Sequence, residues 1–98
     1  MKQYMFIFTL PGELGEEFVS LIPRQRAHIN RLLEEGVVRS YTLALDRSKL
    51  WAIIEGKSEE EVRKIVDQFP LRKFVEVAIV ELAFHNTAIS PLLALSMN

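Results

Sequence analysis

Residues 3–10 read QYMFIFTL and are stopped at once by Pro11-Gly12. The run is aromatic and β-branched, too short for an ordinary helix, and closed by the two strongest chain-turning residues, so it predicts a buried β-strand. Its parity decides the fold. Alternate residues of a strand point to opposite faces, so Tyr4, Phe6 and Phe8 share one face while Met5 and Ile7 share the other. Both sets are apolar, whereas a sheet with one wet face alternates apolar and polar residues. The same two-sided pattern recurs at residues 50–56 (LWAIIEG), where Leu50, Ala52 and Ile54 oppose Trp51 and Ile53. It recurs again at residues 74–84 (FVEVAIVELAF), where Val75, Val77 and Ile79 oppose Ala78, Val80, Leu82 and Phe84.

The segments between these strands read as helices and one hairpin. Pro23 fits the first turn of a helix, where its missing N–H costs nothing, and Gly36 closes the run as a C-cap. Leu21, Ile22, Ile29, Leu32 and Leu33 then form one stripe. Residues 13–20 give no decisive signal. Residues 37–45 (VVRSYTLAL) form a further strand, joined to residues 50–56 by the polar turn Asp46-Arg47-Ser48-Lys49. Ser58 followed by Glu61 is a capping box opening a short helix, with Val62, Ile65, Val66 and Phe69 as its stripe and Pro70 as its stop. The order is β-α-β-β-α-β, a ferredoxin-like α+β fold with a four-stranded antiparallel sheet and both helices on one face. Two narrow stripes cover one face only. The other needs a second sheet or the apolar tail ISPLLALSMN, and a homodimer packed sheet to sheet is the simplest answer.

Composition narrows the function classes. The chain has 98 residues, 49% of them apolar, and a formal net charge of -1, which predicts one domain over residues 1–98: a core at 1–86 and an apolar tail at 87–98 exchanged with a partner subunit. That charge gives no attraction to nucleic acid or to an anionic membrane surface. There are no cysteines, so disulfides, thiolate nucleophiles and cysteine metal sites are excluded together, and His28 and His85 alone do not make a metal site. The N-terminus lacks the pattern of a signal peptide, and no segment reaches the roughly 18 continuous apolar residues of a membrane span. The expected location is the cytoplasm.

Several short features, in order along the chain, resemble the muconolactone isomerase group of dimeric α+β barrels and, more distantly, the YciI-type proteins. These are Leu10-Pro11 after the first strand, Glu35-Gly36 followed by Arg39, Trp51 in the third strand, and Ser58 opening the second helix. Phe69-Pro70-Leu71 closes that helix, and Leu82 with His85 ends the fourth strand. The resemblance implies two sheets face to face, a pocket between sheet and helices closed by a partner's C-terminal segment, and proton transfer on a small lactone without cofactor or metal. One departure stands out: where the family carries acidic residues in its first helix, this chain has Arg24-Gln25-Arg26-Ala27. An isomerase needs a base near the carbon acid and a donor for the developing enolate, and arginines supply only the second.

The candidate residues follow. His28 titrates near neutrality and is the candidate base. Its surroundings resemble the arginine-histidine pattern of YciI-type proteins, although the aspartate paired with that histidine is replaced here by Phe69-Pro70-Leu71. Arg39 and Tyr41 have the same parity, so the expectation is one shared face, with Arg39 anchoring a carboxylate and Tyr41, Trp51 and His85 binding substrate. The expected function is a muconolactone isomerase-like small-molecule enzyme transferring a proton on a lactone or carboxylate substrate. The alternative is a non-catalytic dimer binding a small ligand.

Overall fold

The computed structural model describes residues 1–88. The elements run β1 (Lys2–Thr9), α1 (Glu16–Glu34), β2 (Val38–Leu43), β3 (Lys49–Gly56), α2 (Glu59–Asp67), a 3-10 turn (Arg72–Phe74) and β4 (Glu76–Leu82). The sheet is antiparallel in the order β2-β3-β1-β4, which is the ferredoxin-like arrangement. The expected tail falls almost wholly on residues 89–98, outside the described residues.

The register sorts the strand residues by face. Phe6 lies between Ala52 and Ile79, Tyr4 pairs with Ile54, and Phe8 sits between Leu50 and Val77. This face carries the core: Tyr4, Phe6, Phe8, Ala52, Ile54 and Val38 are buried against Ile29 and Leu32 of α1, Val62 and Val66 of α2, and Phe69 just beyond it. Met5 lies between Ile53 and Val80, and Ile7 between Trp51 and Ala78. Among the described residues no helix covers that second face, and Val80 is 50% exposed there.

Helix ends follow their local chemistry. Ser58 Oγ accepts the Glu61 N–H at 3.2 Å, and Glu59–Arg63 and Glu60–Lys64 pair one turn apart on the outer face of α2. At the end of α1, Gly36 adopts φ +76° while its N–H reaches the Leu33 carbonyl and that of Val37 reaches Leu32. This double closure requires the left-handed backbone that glycine adopts without strain.

Two expectations need correction. The first helix starts at Glu16, so Pro23 sits inside it and not in its first turn. Glu16 and Glu17 suit the positive end of the helix dipole, and Phe18, 4% exposed, extends the apolar stripe upstream. Burial of Phe18, worth about 1.5–3 kcal/mol, offsets most of the ~3 kcal/mol cost of an internal proline. The second correction is in β2. A register shift between Val38 and Ser40 makes Arg39 an extra residue, so Val38 and Tyr41 both oppose helix-face residues of β3. Arg39 and Tyr41 consequently face opposite ways, because a bulge reverses parity downstream of itself.

β3 ends beneath α2 with no room to spare. A Cβ built on Gly56 would stand 2.6 Å from Val62 Cγ1, and Val62 is fully buried. Gly56→Ala is expected to destabilise the fold by roughly 1–3 kcal/mol. Urea denaturation with an unchanged m-value checks it, and an unchanged midpoint would contradict the packing described.

Candidate functional site

The helix-side core is not closed everywhere. Between α1 and the β2–β3 end of the sheet lies a cleft whose deep part, about 30 Å³, is bounded by Phe8, Phe18, Leu50, Phe69 and Val75. Its outer part, about 210 Å³, opens past Leu14, Ile22 and Leu43 toward Arg26 and Arg47. Gln25, Tyr41, Leu10 and Leu71 border both. The walls are therefore apolar, with a few polar groups at defined positions, as in small-molecule sites generally.

Gln25 organises the polar part. It lies on the inner stripe of α1 between Ile22 and Ile29, and it is only 6% exposed. Its Oε1 accepts the Leu71 N–H at 3.1 Å, and its Nε2 donates to Tyr41 Oη at 3.2 Å. Both polar atoms of the amide thus have a partner at a point where an unmet one would cost about 1–3 kcal/mol. Because Tyr41 Oη accepts from Gln25, its own O–H is left to donate elsewhere. Burial raises the Tyr41 phenol above its ordinary value, partly offset by the Gln25 hydrogen bond, so it stays protonated and remains a donor.

The other sequence-derived candidates lie apart from this cleft. His28 stands edge-on to Phe69, ring centroids 5.8 Å apart, and its Nδ1 is 2.9 Å from Arg31 Nη2. Since a guanidinium only donates, Nδ1 carries the lone pair of that contact and the neutral ring holds its proton on Nε2. Arg39 reaches Glu55 at 3.8 Å, and Glu55 in turn accepts from Gln3 at 3.4 Å. Arg39 and His85 do come together, around an open recess that also includes Gln3, Leu33 and Thr87; His85 Nε2 lies 3.0 Å from Thr87 Oγ1. Trp51 opposes Ile7 and Thr42 on the uncovered face. Only Tyr41 among the expected residues borders the cleft, and the proposed pairing of His28 with Arg39 is not assembled in the single chain. Gln25 was not singled out by sequence, although a glutamine on an apolar stripe between two isoleucines is the signal that marks it.

The family profile of muconolactone delta-isomerase matches residues 8–88, most of the chain. The chain belongs to that family. No curated protein sequence matches it. Among solved structures, that of muconolactone isomerase at 3.3 Å resolution superposes with a TM-score of 0.71 at 19% identity, covering 90% of this chain and 95% of the other. The 5-chloro-2-hydroxyhydroquinone dehydrochlorinase of Burkholderia phenoliruptrix AC1100, in complex with 2,5-dihydroxybenzoquinone, superposes with a TM-score of 0.61 at 17% identity, covering 87% and 96%. At those identities the two structures establish the shared fold. Among the described residues no helix is long and apolar enough to cross a membrane, and no group of His, Asp and Glu is placed to hold a metal ion.

The setting of His28 makes stability depend on pH. Burial lowers its pKa first, the neighbouring Arg31 charge second, and Glu35 opposes both. The folded chain therefore binds the imidazole proton less well than the unfolded chain, whose value is about 6.5. The stability tied to neutral His28 is complete above that value and is lost as pH falls through the lower folded pKa. Denaturation midpoints measured between pH 7.5 and 5 should fall more steeply for the native protein than for His28→Gln; parallel curves would refute the assignment.

Proposed function

We propose that this member of the muconolactone delta-isomerase family acts on a small, flat cyclic carbonyl compound held in the α1 cleft. The observation that carries the reading is the Tyr41 hydroxyl, fixed by Gln25 and free to donate at the edge of an apolar recess. A lactone or quinone oxygen placed there receives a hydrogen bond that strengthens as negative charge develops, which is how a preorganised donor stabilises an enolate. Arg26 and Arg47 line the outer part, and among the described residues neither has a carboxylate within 4.0 Å. They suit an acidic substituent and take the anchoring role expected of Arg39. Arg47 occupies a left-handed backbone position, φ 62°, in a turn held by Asp46, whose carboxylate accepts from both Ser48 N–H and Ser48 Oγ. A non-glycine side chain kept at that position is a cost that a ligand contact explains.

A second reading, non-catalytic ligand binding, rests on one specific observation. Among the described residues no carboxylate or imidazole lines the cleft, so in the catalytic reading the proton acceptor is brought by a second copy or by the substrate's own carboxylate. The uncovered sheet face supports self-association: Met5, Ile7, Trp51, Ala78, Val80 and Leu82 present an apolar surface of the kind that marks an interface. A sheet-to-sheet dimer in the cytoplasm is the assembly this reading adopts.

Three experiments test it. In D2O, an unsaturated γ-lactone should lose its ring C–H signal to deuterium faster with protein than without, and Tyr41→Phe should slow that exchange about 100-fold. Binding without exchange selects the non-catalytic reading. Arg47→Gly removes the guanidinium while relieving the left-handed strain, so it should keep or raise the melting temperature and weaken a carboxylate-bearing lactone about ten-fold relative to its neutral analogue. Light scattering should give at least a dimer mass for the native chain and a smaller species for Val80→Lys; a native monomer at micromolar concentration would sink the assembly claim.

A further inference from the structure

We propose that the ligand of the α1 cleft is a cyclic carbonyl compound carrying one small apolar substituent, the size of a methyl group, on the ring carbon beside the carbonyl. The proposal rests on the reading of that cleft as the ligand site and adds to it a feature of the substrate. Its starting point is that the cleft has two parts of unequal size. A dry cavity that takes a benzene ring is about 150 Å³, so the outer part, about 210 Å³, houses the ring. The deep part, about 30 Å³, has room for a group no larger than a water or a methyl. Tyr41 and Gln25 border both parts, so a carbonyl oxygen held by the Tyr41 hydroxyl lies where the two meet. A substituent on the neighbouring ring carbon is then the one that reaches inward.

The deep part suits an apolar group better than a water. The walls that it does not share with the outer part are Phe8, Phe69, Val75 and Arg72. Phe8 and Phe69 are buried, with ring centroids 6.0 Å apart. A buried water needs about two to four hydrogen-bonding partners. Gln25 Oε1 and Nε2 are already engaged by the Leu71 N–H and by Tyr41. Two nitrogens of the Arg72 guanidinium are taken by Asp67 Oδ1 at 3.4 Å and by the Val75 carbonyl at 3.1 Å. Among the described residues no buried side-chain nitrogen or oxygen is left without a partner. What the Tyr41 hydroxyl still offers goes to the carbonyl of the ligand.

The wall that sets the size is held in place. Val75 stands where the 3-10 turn passes into β4, with extended backbone at φ -119° and ψ 147°. Its carbonyl is clamped by Arg72, which Asp67 of α2 holds in turn. The turn is tied to the end of α2 by the Arg72 N–H on the Phe69 carbonyl at 3.0 Å, and to α1 by the Leu71 N–H on Gln25. A wall fixed from two helices yields little. Filling the deep part therefore gains contacts that the free protein lacks, while overfilling it forces strain.

NMR titrations of the native chain with an unsaturated γ-lactone and its α-methyl, β-methyl and α-propyl derivatives test the proposal. The α-methyl compound should bind about four- to ten-fold more tightly than the parent. The β-methyl compound should gain less than about two-fold, and the α-propyl compound should bind more weakly than the parent. Val75→Leu, which fills the deep part, should bring the α-methyl and parent affinities together, and Val75→Ala should move the preference to the α-propyl compound. Ratios taken within one variant cancel general damage to the site, and the α- and β-methyl comparison in the native chain decides alone where a variant does not fold. Equal gains from the two methyl positions, or an α-methyl preference unmoved by Val75→Leu, overturn the substituent while leaving the site in place. A series that does not bind at all, or a parent affinity unchanged by Tyr41→Phe, removes the site reading and the substituent with it.

Discussion

Everything in this molecule depends on a sheet that is apolar on both faces but is given helices for only one. On the covered side, Phe6 at the centre of β1 is enclosed by Ala52 and Ile79 across the strands and by the helix residues that complete the core. Burying a phenylalanine is worth about 1.5–3 kcal/mol, and a chain of this length has few such residues to lose. On the uncovered side the same strands present Met5, Ile7 and Trp51. Among the described residues the chain thus builds its core on one face of its β-sheet and leaves the other without a helix.

The period-two pattern was legible because it is local. Each strand announced its two faces without reference to any other, and the paired register agrees residue by residue with that parity in β1, β3 and β4. Local chemistry also placed Ser58 as a cap and Gly36 as a helix end, since each requirement is met within one turn of chain. The failures were non-local. Pro23 reads as a helix start from propensity alone, and only the burial of Phe18 against Phe74, far along the chain, explains why the helix begins earlier. The bulge at Arg39 is likewise invisible in a β-branched and polar run, because it is set by what β3 offers opposite.

The same division explains the site. Tyr41 was picked for its residue type, but its role follows from Gln25, sixteen positions earlier, and from the Leu71 N–H, forty-six positions later than Gln25. No motif spans those three segments. His28 and Arg39 were chosen because their chemistry is versatile, and versatility says nothing of direction. In the folded chain one lies against Phe69 and the other against Glu55.

The family match and the proposed chemistry differ in how much of the chain they involve. The muconolactone delta-isomerase profile matches residues 8–88, a span that runs from the end of β1 past β4. The cleft uses a smaller set: a tyrosine held as a donor, a glutamine that orients it, and two arginines at the mouth. In the reading proposed above, a site of this composition holds and polarises a carbonyl group and, among the described residues, contributes no carboxylate or imidazole as a base. If the protein moves a proton between carbons, the base must enter with the substrate or with a second chain, so the incomplete sheet and the incomplete active site would be remedied from outside the single chain.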